Sequence, residues 1–128
     1  MRRVNRGRKL PESALQRELV KEAKRLRARE QIEALALLYA IPNGSSRHPQ
    51  EAMRLKLEGV QPGMPDLCLP VPRGEHAALY LESKAGRSPL SKEQRERKRE
   101  LEAAGNKVVV YRSIEEGRRA LLDYLGHG

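Results

Sequence analysis

The chain has 128 residues, with 26 Lys plus Arg against 17 Asp plus Glu and a net charge of +9. That length suits one domain with its own core, and the absence of an 18-residue apolar run or a signal-peptide pattern argues against a membrane span or a secretory leader. With no Phe, no Trp and only four Tyr, base-stacking platforms are poorly supplied, so the one-signed charge points to a nucleic acid gripped by its backbone.

Residues 1–10 carry the basic run Arg2-Arg3-Val4-Asn5-Arg6-Gly7-Arg8-Lys9 and are expected to form a disordered arm until they meet phosphate. Residues 11–128 are expected to form a single domain. A helix is predicted over residues 11–29, where Leu15, Leu19, Ala23 and Leu26 recur at helical spacing. Pro11 and Glu12 suit its first turn, and Gln16 lies one turn beyond Glu12 on the same face. The apolar run at residues 34–41 is read as a buried strand in its second half, stopped by Pro42-Asn43-Gly44. Ser45-Ser46-Arg47-His48 is a polar loop. A short helix follows over residues 49–58, with Met53 and Leu57 expected inward and Arg54 and Lys56 on other faces.

Val60-Gln61-Pro62-Gly63-Met64-Pro65 is a turn-rich connector into a strand at residues 66–71. The loop Pro72-Arg73-Gly74-Glu75 and a strand at residues 77–84 complete a hairpin. After the loop at residues 85–90, Ser91 and Gln94 form a capping box for a helix ended by Gly105. That helix carries Lys92, Arg95, Arg97, Lys98 and Arg99, with Leu101 and Ala104 as its expected apolar contacts. A β-branched strand at residues 107–111 and a helix opened by Ser113 and Glu116, running through Leu125, close the chain. The order α, β, α, β, β, α, β, α predicts an α/β fold, a mixed sheet covered by helices.

The chemistry concentrates at the hairpin. Along a strand Glu82 and Lys84 project together and Ser83 points the other way. Charges at the end of an apolar strand are costly to bury without a purpose, and one hairpin brings Asp66 beside them. Two carboxylates can hold a divalent cation, and a lysine can sit near an attacking water or a developing oxyanion. The bland readings are a turn aspartate after Pro65, a solvated edge-strand pair at Glu82 and Lys84, and a Gln94 that only caps its helix. The basic helix has its own bland reading as a solvated face. His48, His76 and His127 lack ligand spacing, and the single Cys68 excludes both an intramolecular disulfide and a cysteine zinc site. Cys68 fits a reducing cytoplasm and reads as a small core residue.

Gly63-Met64-Pro65-Asp66, then Glu82-Ser83-Lys84, then Ser91 and Gln94 ahead of a helix ending at Gly105, resembles the VRR-NUC family of the PD-(D/E)XK nuclease superfamily. The similarity reaches back through Leu55-Lys56-Leu57-Glu58-Gly59-Val60 and Ile41-Pro42-Asn43-Gly44 to Glu12-Ser13-Ala14-Leu15-Gln16. The resemblance implies a restriction-endonuclease-like core and a Mg²⁺-dependent DNA endonuclease, with Mn²⁺ as a substitute. It implies Asp66, Glu82, the Ser83 carbonyl and Glu12 as metal-binding groups, Lys84 as the water-orienting lysine and Gln94 as a polar neighbour. Glu18, Glu30 and Glu33 also lie upstream as alternatives to Glu12. Double-stranded or branched DNA, a homodimer and a cytoplasmic location are implied by family alone. Arg47, Lys56, Arg87, Lys92, Arg95 and Lys98 are the candidate DNA-backbone contacts. A non-catalytic basic DNA-binding protein and a sequence-specific restriction-type nuclease are the alternatives.

Overall fold

The computed structural model describes residues 10–42 and 47–127. Helix α1 (Glu12–Glu30) is followed by a 3₁₀ turn (Glu33–Leu37), strand β1 (Tyr39–Ala40), helix α2 (Pro49–Leu57) and strands β2 (Leu67–Leu69) and β3 (Leu79–Ser83). Helix α3 (Lys92–Ala103), strand β4 (Lys107–Tyr111) and helix α4 (Ile114–Leu125) complete it. The basic run and Asn43 to Ser46 lie outside the described residues.

The four strands form one sheet in the order β1-β2-β3-β4. β2 and β3 are the expected antiparallel hairpin, and β4 returns parallel to β3 after the α3 crossover. The sheet's two faces are treated differently. On one, Leu79 and Leu81 meet Leu15, Leu19 and Ala23 of α1 and Ala120, Leu121 and Leu125 of α4. Burying each such leucine contributes roughly 1.5–3 kcal/mol, so this layer is the main stabilising contact. On the other lies α3, with no fully buried residue. Cys68 is buried in β2, as expected. Among the described residues no helix is long and apolar enough to cross a membrane.

Three local expectations are corrected. The predicted buried strand at residues 38–41 is only Tyr39–Ala40, and both residues are exposed, because this is the sheet's edge and the preceding run winds into the 3₁₀ turn. Met53 and Leu57 do not turn inward. They are 55% and 78% exposed, since α2 has no fully buried residue and turns only Ala52 and Leu55 partly inward on its apolar side. Ala104 is exposed too, leaving Leu101 as the half-buried apolar contact near the end of α3.

One close approach sets the spacing of the helical layer. A Cβ at Gly117, in the first turn of α4, would lie 2.8 Å from Leu19 Cδ1 and 3.0 Å from Tyr111 Cδ2. Leu19 and Tyr111 are both fully buried and have nowhere to retreat. Removing glycine from a helix interior gains roughly 0.5–1 kcal/mol, whereas overpacking a close-packed core costs about 1–3 kcal/mol. Overpacking wins, more so for a β-branched side chain. Gly117→Val is therefore expected to lower the melting temperature by several degrees in calorimetry. A variant melting at or above wild type would show that this contact is slack.

Candidate active site

The site is built where β2 begins and β3 ends. Asp66 precedes β2, and its backbone is clamped in the plane of the sheet. Its amide donates to the Leu81 carbonyl at 2.9 Å, and its carbonyl accepts from the Ile41 amide at 2.8 Å. The Asp66 side chain turns along the strand ends, where Oδ2 accepts from the Ser83 amide at 2.8 Å and the Ser83 hydroxyl at 2.7 Å. Ser83 does lie on the face opposite Glu82, but its hydroxyl reaches Asp66, so the expectation that it points away from the site is corrected.

Gly63 explains the motif ahead of Asp66. Its φ is +80°, and a Cβ there would sit 2.6 Å from the Glu93 carbonyl oxygen. The connector therefore lies directly on the first turn of α3, and only glycine fits that contact. Pro65, two residues on, is buried directly before Asp66 and fixes the approach to it.

Glu82 and Lys84 project together, as alternation requires, and both are buried, at 4% and 8% exposure. Gln94 Nε2 donates to Glu82 Oε2 at 3.2 Å. The same residue completes the capping box, with Oε1 accepting from the Ser91 amide and its own amide donating to Ser91 Oγ. One side chain therefore both caps α3 and reaches Glu82. Burial pushes the Glu82 carboxyl up to about 8, helped by the negative charge of Asp66. Lys84 pulls the other way, while a hydrogen bond with Asp66 and the charge of Glu12 add to the rise. Beside Glu82 is a narrow pit of about 10 Å³, lined in part by Gly63, Pro65, Gln94 and Lys98. That is room for about one water.

Among the upstream glutamates, the structure brings Glu12 to this corner. Glu12 Oε2 accepts from the Ala85 amide at 3.3 Å, and its backbone carbonyl lies 3.4 Å from Ser83 Oγ. Glu18 and Glu33 pair instead with Lys21 and Arg27, and Glu30 is exposed at the end of α1. Gln16 sits half-buried one turn along from Glu12.

The basic residues divide. Arg87 and Lys92 are exposed around the start of α3. Arg95 is exposed but donates to the Leu90 carbonyl at 2.8 Å, so it also braces the loop before its helix. Lys98 pairs with Glu102 at 3.1 Å while lining the pit. Arg97 holds Gln61 of the connector and Glu100. Arg47 is exposed ahead of α2, and Lys56 lines a separate hollow with Pro49, Ala52, Met53, Val60 and Pro62.

Two residues of this corner escaped sequence reasoning. Arg112 donates to the Gly86 and Ser88 carbonyls at 3.0 and 2.7 Å, tying down the loop that carries Arg87. Tyr111 pairs in register with Ser83, and its hydroxyl is buried near the carboxylates. Burial first, then Asp66, raises this phenol well above the usual tyrosine range, with Ser83 acting the other way. Neither residue has a sequence signal, because both depend on the long-range pairing of β3 with β4.

The donor set suits a hard divalent cation. Half-buried Asp66 and buried Glu82 offer only oxygen donors, and Glu82 is raised by its burial first and by the charge of Asp66 second. Among the described residues no group of three His, Cys, Asp or Glu side chains is arranged to hold a metal. Backbone oxygen, water or substrate would have to complete a shell, which is how Mg²⁺ is usually bound.

The raised Glu82 has a consequence for stability without metal. The unfolded chain gives up this proton near 4.5, the folded chain near 8. Between those values only the folded state holds it, so the associated stability is full below about 4.5 and is lost as pH rises through 8. In EDTA the melting temperature is expected to fall between pH 5 and pH 9, and Glu82→Gln should flatten that slope. An unchanged slope in the variant would assign the effect elsewhere.

Comparison with known proteins agrees with this architecture. No curated protein matches the sequence. A solved structure described as "VRR_NUC domain protein" is 25% identical and superposes with a TM-score of 0.76, covering 94% of this chain and 93% of that one. The family model for the VRR-NUC domain matches residues 8–115. The chain belongs to the VRR-NUC domain family, a nuclease-type domain acting on DNA.

Proposed function

We propose that the protein is a metal-dependent DNA endonuclease that hydrolyses phosphodiester bonds, with branched, junction-like DNA as its preferred substrate. The observation that carries this reading is the juxtaposition of half-buried Asp66 with buried Glu82 at the strand ends, where burial, and then the charge of Asp66, raises the Glu82 carboxyl to about 8. Asp66, Glu82 and the Ser83 carbonyl would hold Mg²⁺, or Mn²⁺ in its place, with Glu12 alongside. When bound, such an ion supplies positive charge at the scissile phosphate.

The chain's own groups do the rest. Lys84, buried beside Glu82, orients the attacking water and balances charge as the phosphorane-like transition state develops. Gln94 fixes the Glu82 carboxylate by a hydrogen bond anchored in its helix cap. Glu12 holds the Ala85 amide and so the turn after Lys84. Arg87, Lys92 and Arg95 grip phosphates around the α3 N-terminus, with Lys98 at the pit and Arg47 and Lys56 as outer contacts. Cutting both strands of a junction needs two sites, so a homodimer is part of the proposal.

Purified protein incubated with four-way junctions, linear duplex and supercoiled plasmid, in Mg²⁺, Mn²⁺ or EDTA, tests this directly. Wild type is expected to cut junctions fastest and only with metal, while Asp66→Ala and Glu82→Ala lose cleavage. Equal products from all three proteins would sink the catalytic assignment. Binding without cutting would favour a non-catalytic DNA-binding protein, and discrete fragments from linear duplex a restriction-type nuclease. Lys84→Ala should keep Mn²⁺ binding and lose about 10²-fold or more in turnover. DNA affinity should drop steeply between 50 and 200 mM salt, roughly as the number of phosphates contacted. A flat response would argue against a backbone grip.

A further inference from the structure

Two tyrosine hydroxyls are buried in this fold, and they are treated differently. Tyr124 donates to the Val71 carbonyl at 2.6 Å. Tyr111 is fully buried, and among the described residues its hydroxyl completes no hydrogen bond of good geometry, although Ser83 lies close enough to act on it. A buried hydroxyl left unpaired destabilises the fold, and a phenylalanine of the same shape would avoid that penalty. The ring cannot swing away, because it is packed against Leu19 and the bare Cα of Gly117. Its backbone is fixed as well, with the Tyr111 carbonyl accepting from the Lys84 amide at 3.1 Å.

The surroundings of the hydroxyl are specific. Tyr111 is the register partner of Ser83, so the two side chains project from the same face of the sheet. Ser83 Oγ has one proton, and it is donated to Asp66 Oδ2 at 2.7 Å. The remaining lone pairs of Ser83 Oγ can only accept, and Tyr111 is a donor held next to them.

We propose that Tyr111 is a positioning residue for the metal-holding carboxylates, its hydroxyl closing onto Ser83 Oγ in the loaded site and thereby fixing the Asp66 orientation. This rests on the nuclease reading above. It makes Tyr111–Ser83–Asp66 a relay of two hydroxyls that ends on a carboxylate, supported from the apolar side of the sheet. Outer partners of metal ligands contribute about 10- to 100-fold in metal affinity, which sets the size of the effect to look for.

The test is Mn²⁺ titration by calorimetry, alongside thermal melts in EDTA, on wild type, Tyr111→Phe, Ser83→Ala and the double variant. Tyr111→Phe is expected to melt at or above the wild-type temperature in EDTA, yet to bind Mn²⁺ about tenfold more weakly. The double variant is expected to bind no worse than Ser83→Ala alone, because the relay is already cut. Wild-type Mn²⁺ affinity in Tyr111→Phe would overturn the proposal, whatever its melting temperature. Additive losses in the double variant would overturn the route through Ser83. Should Ser83→Ala fail to fold, Tyr111→Phe alone decides. A wild type that binds no Mn²⁺ overturns the metal reading itself, a result distinct from a wild type and Tyr111→Phe that bind equally well.

Discussion

The interaction on which this architecture depends is the double donation from Ser83 to a single oxygen of Asp66. The amide and hydroxyl of one residue clasp the carboxylate of another across the mouth of the hairpin. Hydrogen bonds to a charged acceptor are stronger than neutral ones, and two on one oxygen leave it little freedom. The antiparallel register of β2 and β3 places them there, since Leu67 opposite Leu81 puts Asp66 just past the paired segment and within reach of Ser83. Were this clasp lost, Asp66 would revert to an ordinary turn residue and Glu82 to a lone buried acid.

From that clasp the site spreads over both faces of the sheet. Ser83 looks towards α1, Tyr111 and the hydrocarbon layer, while Glu82 and Lys84 look towards α3. Three consecutive polar residues are thus buried at one strand end. Stability alone gives no reason for such a run, because burying charge is costly unless it is paired or put to use. The apolar layer of α1 and α4 supplies the rigidity against which this local cost is held. Here α3 plays the opposite role. It buries little and instead offers Gln94 to the carboxylates and cations to the solvent.

Much of this was legible locally. The hairpin, the capping box at Ser91 and the β-branched strand β4 were readable because each is encoded by neighbours in sequence. The juxtaposition of Asp66 with Glu82 followed from one turn. Other features were hidden for a shared reason. Met53 and Leu57 show a helical apolar pair, yet periodicity does not say whether another element arrives to cover it. The run before Pro42 is apolar enough for a core strand, but its place at the sheet edge is a tertiary fact. Alternation correctly puts the Ser83 side chain on the far face, but it says nothing of a carboxylate lying in the plane of the sheet, so the hydroxyl's contact with Asp66 is not legible in the sequence. Glu12 could be distinguished from Glu18, Glu30 and Glu33 only once α1 was docked.

Gln94 has a consequence that reaches beyond its two hydrogen bonds. Capping boxes accept glutamate and glutamine alike, since only the side-chain oxygen is used. Here that oxygen is committed to the Ser91 amide, so the amide nitrogen is left facing Glu82. The cap thereby decides which end of the side chain the acidic corner sees. Glutamate would serve the helix equally well but would bring another carboxyl, and no N–H donor, to the crowded acidic corner. A position that looks interchangeable from the helix is selective from the site, and the choice between one oxygen and one nitrogen links the folding of α3 to the electrostatics of the carboxylates.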